Sequence, residues 1–306
     1  RTVHRAGAAD AAVLNIPEAD RAIAVAIDGN GHRVACDPYT GTVEGLLECA
    51  ANLACVGAEP LGVTNCLNFG NPEKPTVAWQ LTGSIKALGD ACRAMDLPVV
   101  GGNVSLYNET PSGPIYPTPV IGMVGELFEP ESCAGEPWRD GDAIALVGPF
   151  NPSLAGSELE KLRGQLGAGL PAIEVAPVRA AIELIRDAVR AGTIRTVTDI
   201  SDGGITTALG EHAIASGIGC EADLEPVMVR HECSAEDALF GEAPGGFIVA
   251  GDKSQIELLA GQGVEFDLLG EVGGEMLNVT AGEMRVEVLA AEASAAFESL
   301  AHKIEA

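Results

Sequence analysis

Short apolar runs alternate with amphipathic stretches along the chain, and the breaks between them are polar and rich in glycine. Residues 21–27, RAIAVAI, predict a strand. The following DGNGHRVACDPYTG predicts a turn-rich loop. Residues 43–56, VEGLLECAANLACV, predict a helix, and Gly57 stands where a helix is commonly closed. PLGVTNCLNFGNPE opens as a strand and ends in a glycine-proline loop, residues 76–95 predict a second helix, and LPVVGGN reads as a strand running into a loop. Residues 119–127, PVIGMVGEL, predict one more strand.

The segment 129–141, EPESCAGEPWRDG, breaks this rhythm with proline, glycine and charge, which marks a domain boundary. Beyond it AIALVGP, TVTDI and GGFIVAG predict strands, and stretches near 155–165 and 177–191 predict helices. SDGGITTALGEHAIASG predicts a loop entering a helix that Gly217 can close, and the last segment reads as strand-rich. The chain has 306 residues, more than one core usually fills. The expectation is an α/β (α+β) fold in two domains, 21–135 and 136–306, after an N-terminal linker over 1–20.

Composition sharpens this picture. Hydrophobic residues make up 47% but aromatic ones only 4%, so Ala, Val, Leu, Ile and Gly must build the core, as in layered α/β proteins. The net charge of −26 repels nucleic acid and anionic membranes. An anionic ligand would then need backbone N–H groups, helix N-termini or metal ions. The apolar runs are shorter than a membrane span, and RTVHRAGAAD does not lead into the apolar segment of a signal peptide. None of the eight cysteines forms a C-x-x-C pair, so reduced thiols in a cytoplasmic protein are expected. The chain does not begin with Met, which suggests a piece of something longer.

Four stretches could carry chemistry. In GGNVSLYNET, 101–110, glycines after an apolar strand allow close approach to the backbone, Asn103 offers an oxygen to a hard cation and Ser105 a hydroxyl. A tight turn with Asn in a left-handed conformation would look the same. On the helix 43–56, Glu44, Glu48 and Asn52 form an i, i+4, i+8 stripe. The stripe is either a solvated face or a set of magnesium ligands, with Asp28 from the preceding strand end as a further donor. In TDISDGG, Ser201 or Asp202 can cap the next helix, or Asp199 and Asp202 can meet a metal or a nucleotide phosphate–metal pair. In VTNCLNFGNPE, Asn65 at a strand end and its asparagine neighbours form either a generic turn or a surface that reads a base or ribose. No P-loop and no G-x-G-x-x-G in a βαβ setting occurs.

DPYTGTVEGLLECAANLACVGAEPLGVTNCLNFGNPE, followed by LPVVGGNVSLYNET, closely resembles the second half of the small-type phosphoribosylformylglycinamidine synthase subunit, and TDISDGG and LFGEAPGGFIVA agree with it. The resemblance runs over nearly the whole chain. It implies the two-domain A/B unit shared with aminoimidazole ribonucleotide synthetase, selenophosphate synthetase and thiamine monophosphate kinase, in which the A domain forms half of a pseudo-dimeric β-barrel.

It also implies a reaction of de novo purine synthesis. ATP activates the formyl amide oxygen of formylglycinamide ribonucleotide, and ammonia replaces it to give the amidine, ADP and phosphate. The ammonia comes from a glutamine amidotransferase subunit bridged by a third small subunit. By motif, Asn65 and Gly102 would touch ATP, Asn103 would bind its Mg2+ and Ser105 would bind the ribonucleotide. The family often has Asp where Asn65 stands. Asp28, Glu48, Asn52 and one of Asp199 or Asp202 would match an auxiliary, non-catalytic Mg2+–ADP site. The catalytic-histidine segment E-S-H-N-H-P and the G-E-S-Q substrate loop of the family's first half do not occur. The expectation is therefore a C-terminal half with no catalytic residue of its own and no activity alone, pairing with the N-terminal half or, as a fragment, with itself. A purely structural nucleotide-binding half and a small-molecule kinase of the same superfamily are the alternative readings.

Overall fold

The computed structural model describes residues 1–4, 9–128 and 135–305. Its first sheet is built from β1 (Thr2–His4), β2 (Ala12–Ile16), β3 (Arg21–Asp28), β4 (Glu59–Asn68), β5 (Val99–Ser105) and β8 (Thr118–Leu127). Between the last two lies a two-stranded ribbon of β6 (Glu109–Thr110) and β7 (Gly113–Pro114). The sheet order is β1-β2-β3-β8-β4-β5. Only β4 and β5 run parallel, as a helical crossover requires. The helices here are α1 (Gly31–Cys36), α2 (Pro38–Cys55) and α3 (Pro75–Met95), and α3 makes that crossover.

Period-two patterning decides which side of the sheet meets the helices. On β3, Ala22, Ala24 and Ala26 are buried, while Val25 and Ile27 face out and Ile27 is 73% exposed. Val124 on β8 is exposed as well. One face of this sheet is therefore packed and the other is apolar and open.

The second sheet contains β9 (Ala143–Val147), β10 (Thr196–Asp199), β11 (Cys220–Asp223), β12 (Phe247–Gly251), β13 (Phe266–Val272), β14 (Met276–Ala281) and β15 (Met284–Leu289). Its order is β10-β12-β9-β13-β11-β14-β15. The α-helices described beside it are α4 (Glu158–Leu162), α5 (Val175–Arg190), α6 (Gly204–Ser216), α7 (Glu225–His231), α8 (Ala235–Phe240), α9 (Lys253–Ile256) and α10 (Ala290–Glu305). Both β9 and β12 are buried along their full length. Ala145, Val147, Phe247 and Val249 face a core that continues through Ile182 and Ile185 of α5 to Leu46 and Leu53 of α2. Ile144, Leu146 and Ile248 face the opposite way, onto Leu209 of α6 and Leu239 of α8. The first core thus runs across both sheets, and each fully buried aliphatic side chain in it contributes about 1.5–3 kcal/mol.

Several expectations need correction. Over the expected linker, 1–20, β1 and β2 extend the first sheet. The turn-rich loop holds α1, because Asn30 accepts hydrogen bonds from the backbone of His32 and Arg33 and caps it. The helix predicted at 43–56 starts at Pro38, where Asp37 caps it and proline at the first position costs no hydrogen bond. Only Glu158–Leu162 of the predicted 155–165 is helical. The strand-rich last segment ends in α10. Gly217 does close α6, in a left-handed conformation. Part of the expected boundary, 129–134, and Cys133 with it, lie outside the described residues. The other seven cysteines are free.

Candidate functional site

Two regions gather the residues singled out by sequence. The first is a cleft between the helices of the first sheet and the loops of the second, lined by Asp28, Asn30, Glu48, Ser201 and Asp202 among others. Asp28 ends β3, Glu48 lies in the middle of α2, and Asp202 lies in the loop between β10 and α6. Asn30, besides capping α1, donates from Nδ2 to Asp202 Oδ1 at 2.9 Å. This bond ties the first sheet's loop to the second's.

The carboxylates crowd one another. Burial pushes Asp28 up to about 6, and the charges of Asp202 and Glu44 add to it. Glu48 is raised well above its ordinary value by burial and then by the charge of Asp28. Asp202 is raised by burial and by Glu158. Asp28 Oδ2 is buried and has no hydrogen-bond partner among the described residues. Gly45 makes room for it, since a Cβ there would lie 2.8 Å from that oxygen. An orphan oxygen in such a cradle, beside two more carboxylates, fits a small hard cation such as Mg2+.

The other expected ligands behave differently. Glu44 on the stripe is turned into a buried ion pair, accepting from Arg33 Nε and Nη2 at 2.6 Å each. Asn52 donates from Nδ2 to the backbone oxygen of Glu48, folding back on its own helix. Asp199 lies with Asp10 and Cys55, all three with ligand atoms within 4.8 Å of one another. Burial lifts Asp10 to about 6 and Asp199 well above the usual carboxylate range, and each is lifted or held by its neighbours there. Thr198 Oγ1 donates to Asp10 Oδ1 at 2.5 Å. Between Asp199 and Asp202, the open choice of the sequence, only Asp202 lines the cleft with Asp28 and Glu48.

Arg33 and Glu242 were not singled out by sequence. Arg33 is 5% exposed and Glu242 2%. Arg33 Nη1 donates to the backbone oxygen of Ala155 at 3.0 Å and lies 3.8 Å from Glu242 Oε2. Burial raises Glu242 to about 7. A lone arginine followed by apolar residues, RVAC, was the only sequence signal for a buried ion pair.

The second region is the free edge of the first sheet. β5 pairs only with β4 among the described strands, so its other backbone edge is bare. The expected glycine loop is therefore an edge strand: Gly101 to Ser105 lie within β5. The register sets Asn65 opposite Gly102, Cys66 opposite Asn103 and Asn68 opposite Ser105. A Cβ on Gly102 would lie 2.8 Å from Asn65 Oδ1, so glycine is what lets the Asn65 side chain lie across it. Gly102 and Asn103 are exposed. Asn103 keeps φ negative, and the left-handed residue of the stretch is Tyr107. Asn108 Nδ2 donates to Phe69 O and Ser105 O, which fixes the turn after Ser105. Thus Gly102, Asn103 and Ser105 lie on one open edge, with Asn65 next to them on β4.

Residues 8–127 match the family described as AIR synthase related protein, N-terminal domain, and residues 139–300 match its C-terminal domain. The chain belongs to the AIR synthase-related family. More particularly, it is 41% identical over 276 residues to the phosphoribosylformylglycinamidine synthase subunit PurL of Moorella thermoacetica, covering 88% of this chain and 37% of that protein. The same subunit of Synechococcus is 44% identical over 268 residues, covering 83% and 34%. The chain therefore spans little more than a third of the length of these relatives. Among solved structures, T. maritima PurL complexed with FGAR superposes with a TM-score of 0.76 at 18% identity, covering 92% of this chain and 47% of that one. T. maritima PurL complexed with ATP gives 0.72 at 19%, covering 92% and 46%. AaThiL complexed with AMPPCP and TMP gives 0.61 at 18%, covering 91% and 89%. These likenesses establish the fold as the two-part A/B unit expected from the sequence.

Proposed function

We propose that the chain is the C-terminal part of a phosphoribosylformylglycinamidine synthase, an ATP-dependent C–N ligase of purine biosynthesis. In this reading residues 21–135 form the A-type unit and 136–306 the B-type unit. The observation that carries it is the bare edge of β5, where Gly102 and Asn103 are exposed, Ser105 is half-buried and Asn65 of β4 pairs with Gly102, beside an uncovered apolar sheet face. A second A-type unit laid on that face would close a barrel and supply the opposite wall of the site.

Each residue's chemistry suits its role. The Gly102 backbone and the Asn65 amide meet the nucleotide, the Asn103 amide oxygen meets its Mg2+, and the Ser105 hydroxyl meets the ribonucleotide. Mg2+ would supply charge neutralisation between the triphosphate and this acidic chain. The cleft of Asp28, Glu48 and Asp202 is the auxiliary Mg2+–ADP site, with the Asn52 amide oxygen as a further ligand. The partners are the N-terminal half, the glutamine amidotransferase subunit and the small bridging subunit, in the cytoplasm. No described helix is long and apolar enough to cross a membrane.

The test is ATP- and ammonia-dependent amidine formation. The chain alone should show none. In the full-length synthase, Asn103→Ala and Ser105→Ala should each lower kcat/KM by about 100-fold, the scale of losing one positioned polar contact to a reacting charge. Turnover by the chain alone, or full activity of both variants, would remove this edge from the reacting site.

A further inference from the structure

Glu242 stands between the two parts of the cation cleft, and its two oxygens face different tasks. Oε1 accepts hydrogen bonds from the backbone N–H of Gly203 and of Glu158, both at 2.8 Å. Gly203 is the residue after Asp202, so Glu242 grips the loop that carries this carboxylate. The grip is tight. Gly203 and Gly204 both have positive φ, and a Cβ on Gly204 would lie 2.6 Å from the backbone oxygen of Gly241. Glu242 is itself fixed, since its backbone pairs with that of Ser153. From the other side, Asn30 holds the Asp202 side chain directly. Asp202 is thus clamped by Asn30 from the first sheet and by Glu242 from the second.

The other oxygen, Oε2, is buried and accepts no hydrogen bond from the described residues. Among the described residues Arg33 lies 3.8 Å from it, and both guanidinium edges of Arg33 are already engaged by Glu44 and Ala155.

We infer that Glu242 is a positioning residue for the cation cleft: it sets the 200–204 loop so that Asp202 meets Asp28 and Glu48 across the divalent cation of a bound Mg2+–nucleoside diphosphate. The inference rests on the auxiliary-site reading above. It separates Glu242 from a residue that merely stabilises the fold, because only a positioning role ties it to Mg2+.

The experiment titrates Mg2+ against this chain at fixed ADP, read by calorimetry, with melting temperature measured separately without ligand. Glu242→Ala should weaken the apparent Mg2+ affinity about tenfold. Glu242→Gln keeps an acceptor oxygen for both N–H groups and should stay within about threefold of the parent. If the parent binds Mg2+–ADP and Glu242→Ala changes the Mg2+ affinity less than twofold, whatever its melting temperature, the positioning role is wrong and the cleft reading stands. If the parent binds no Mg2+–ADP, both fall. If Glu242→Ala is too unstable to titrate, Glu242→Gln and Asn30→Ala decide. Loss of Mg2+ affinity in Asn30→Ala with retention in Glu242→Gln supports the clamp, and an unchanged Asn30→Ala overturns it.

Discussion

The two sheets of this protein obey the same alternation and end in opposite situations. In the second, both faces of β9 and β12 are covered, one by α5 and the other by α6 and α8. In the first, the helices cover one face, and Val25, Ile27 and Val124 stand in the open on the other. A strand buried on both sides reads as a continuous apolar run, as AIALV and FIVAG do. RAIAVAID reads almost the same, yet only its alanines are inside. The lesson is that an apolar outward face is unfinished packing, and large exposed apolar surfaces mark places where another surface belongs.

The sharpest way to break this comparison is to place one charge in each sheet. Val249→Asp on β12 should cost more than about 4 kcal/mol, since an unpaired carboxylate would enter the shared core, and should leave the chain unfolded by circular dichroism. Ile27→Asp on the open face should change stability by less than about 0.5 kcal/mol, while abolishing any self-association seen by light scattering. If Ile27→Asp unfolds the chain, the face is not open. If the parent chain is monomeric at all concentrations, the open face does not pair with itself.

Next in size is the seam between the sheets. Arg33→Ala would strand Glu44 and Glu242 in the interior, and removing one partner of a buried ion pair costs about 3–5 kcal/mol. A melting temperature within a few degrees of the parent would show that water reaches the pair.

The smallest effect is on pH. Glu242 at about 7, and Glu48 and Asp199 well above their ordinary values, all have folded pKa values raised over the unfolded ones. Their protonated forms favour the fold, so this contribution is complete at low pH and is lost as pH rises through the folded values. His212, lowered to about 4 by burial, works the other way, but only as pH falls below about 6.5. Without divalent cations the melting temperature should therefore rise as pH is lowered from 8 to about 6.5. Added Mg2+ should flatten the trend, and a melting temperature that falls over that range would contradict the crowding of carboxylates in the cleft.

Much of this molecule was legible in advance. The strands 21–27 and 119–127, the helices at 76–95 and 177–191, and Gly217 as a helix stop follow from local period and capping, and each lies within a residue or two of the observed element. The acidic stripe on α2 was legible as a pattern but not as a site. Spacing put Glu44, Glu48 and Asn52 on one side of a helix. It could not show that Glu44 would meet Arg33, or that Asn52 would turn to its own backbone.

What the sequence determined by itself is what neighbours along the chain can decide: period, caps, the cost of proline and glycine, and the motif that carries the family resemblance. What only the tertiary structure decided is everything that depends on which strand lies beside which. GGNVS was expected as a loop because two glycines and an asparagine favour turns locally. It became an edge strand because β4 offered a parallel backbone to pair with, and hydrogen bonds to that partner outweigh a weak local preference. Likewise, the surroundings of Asp199 and Asp202 are set by residues far away in sequence. Asp10 draws near the first and Asn30 holds the second, and no local pattern could have placed either.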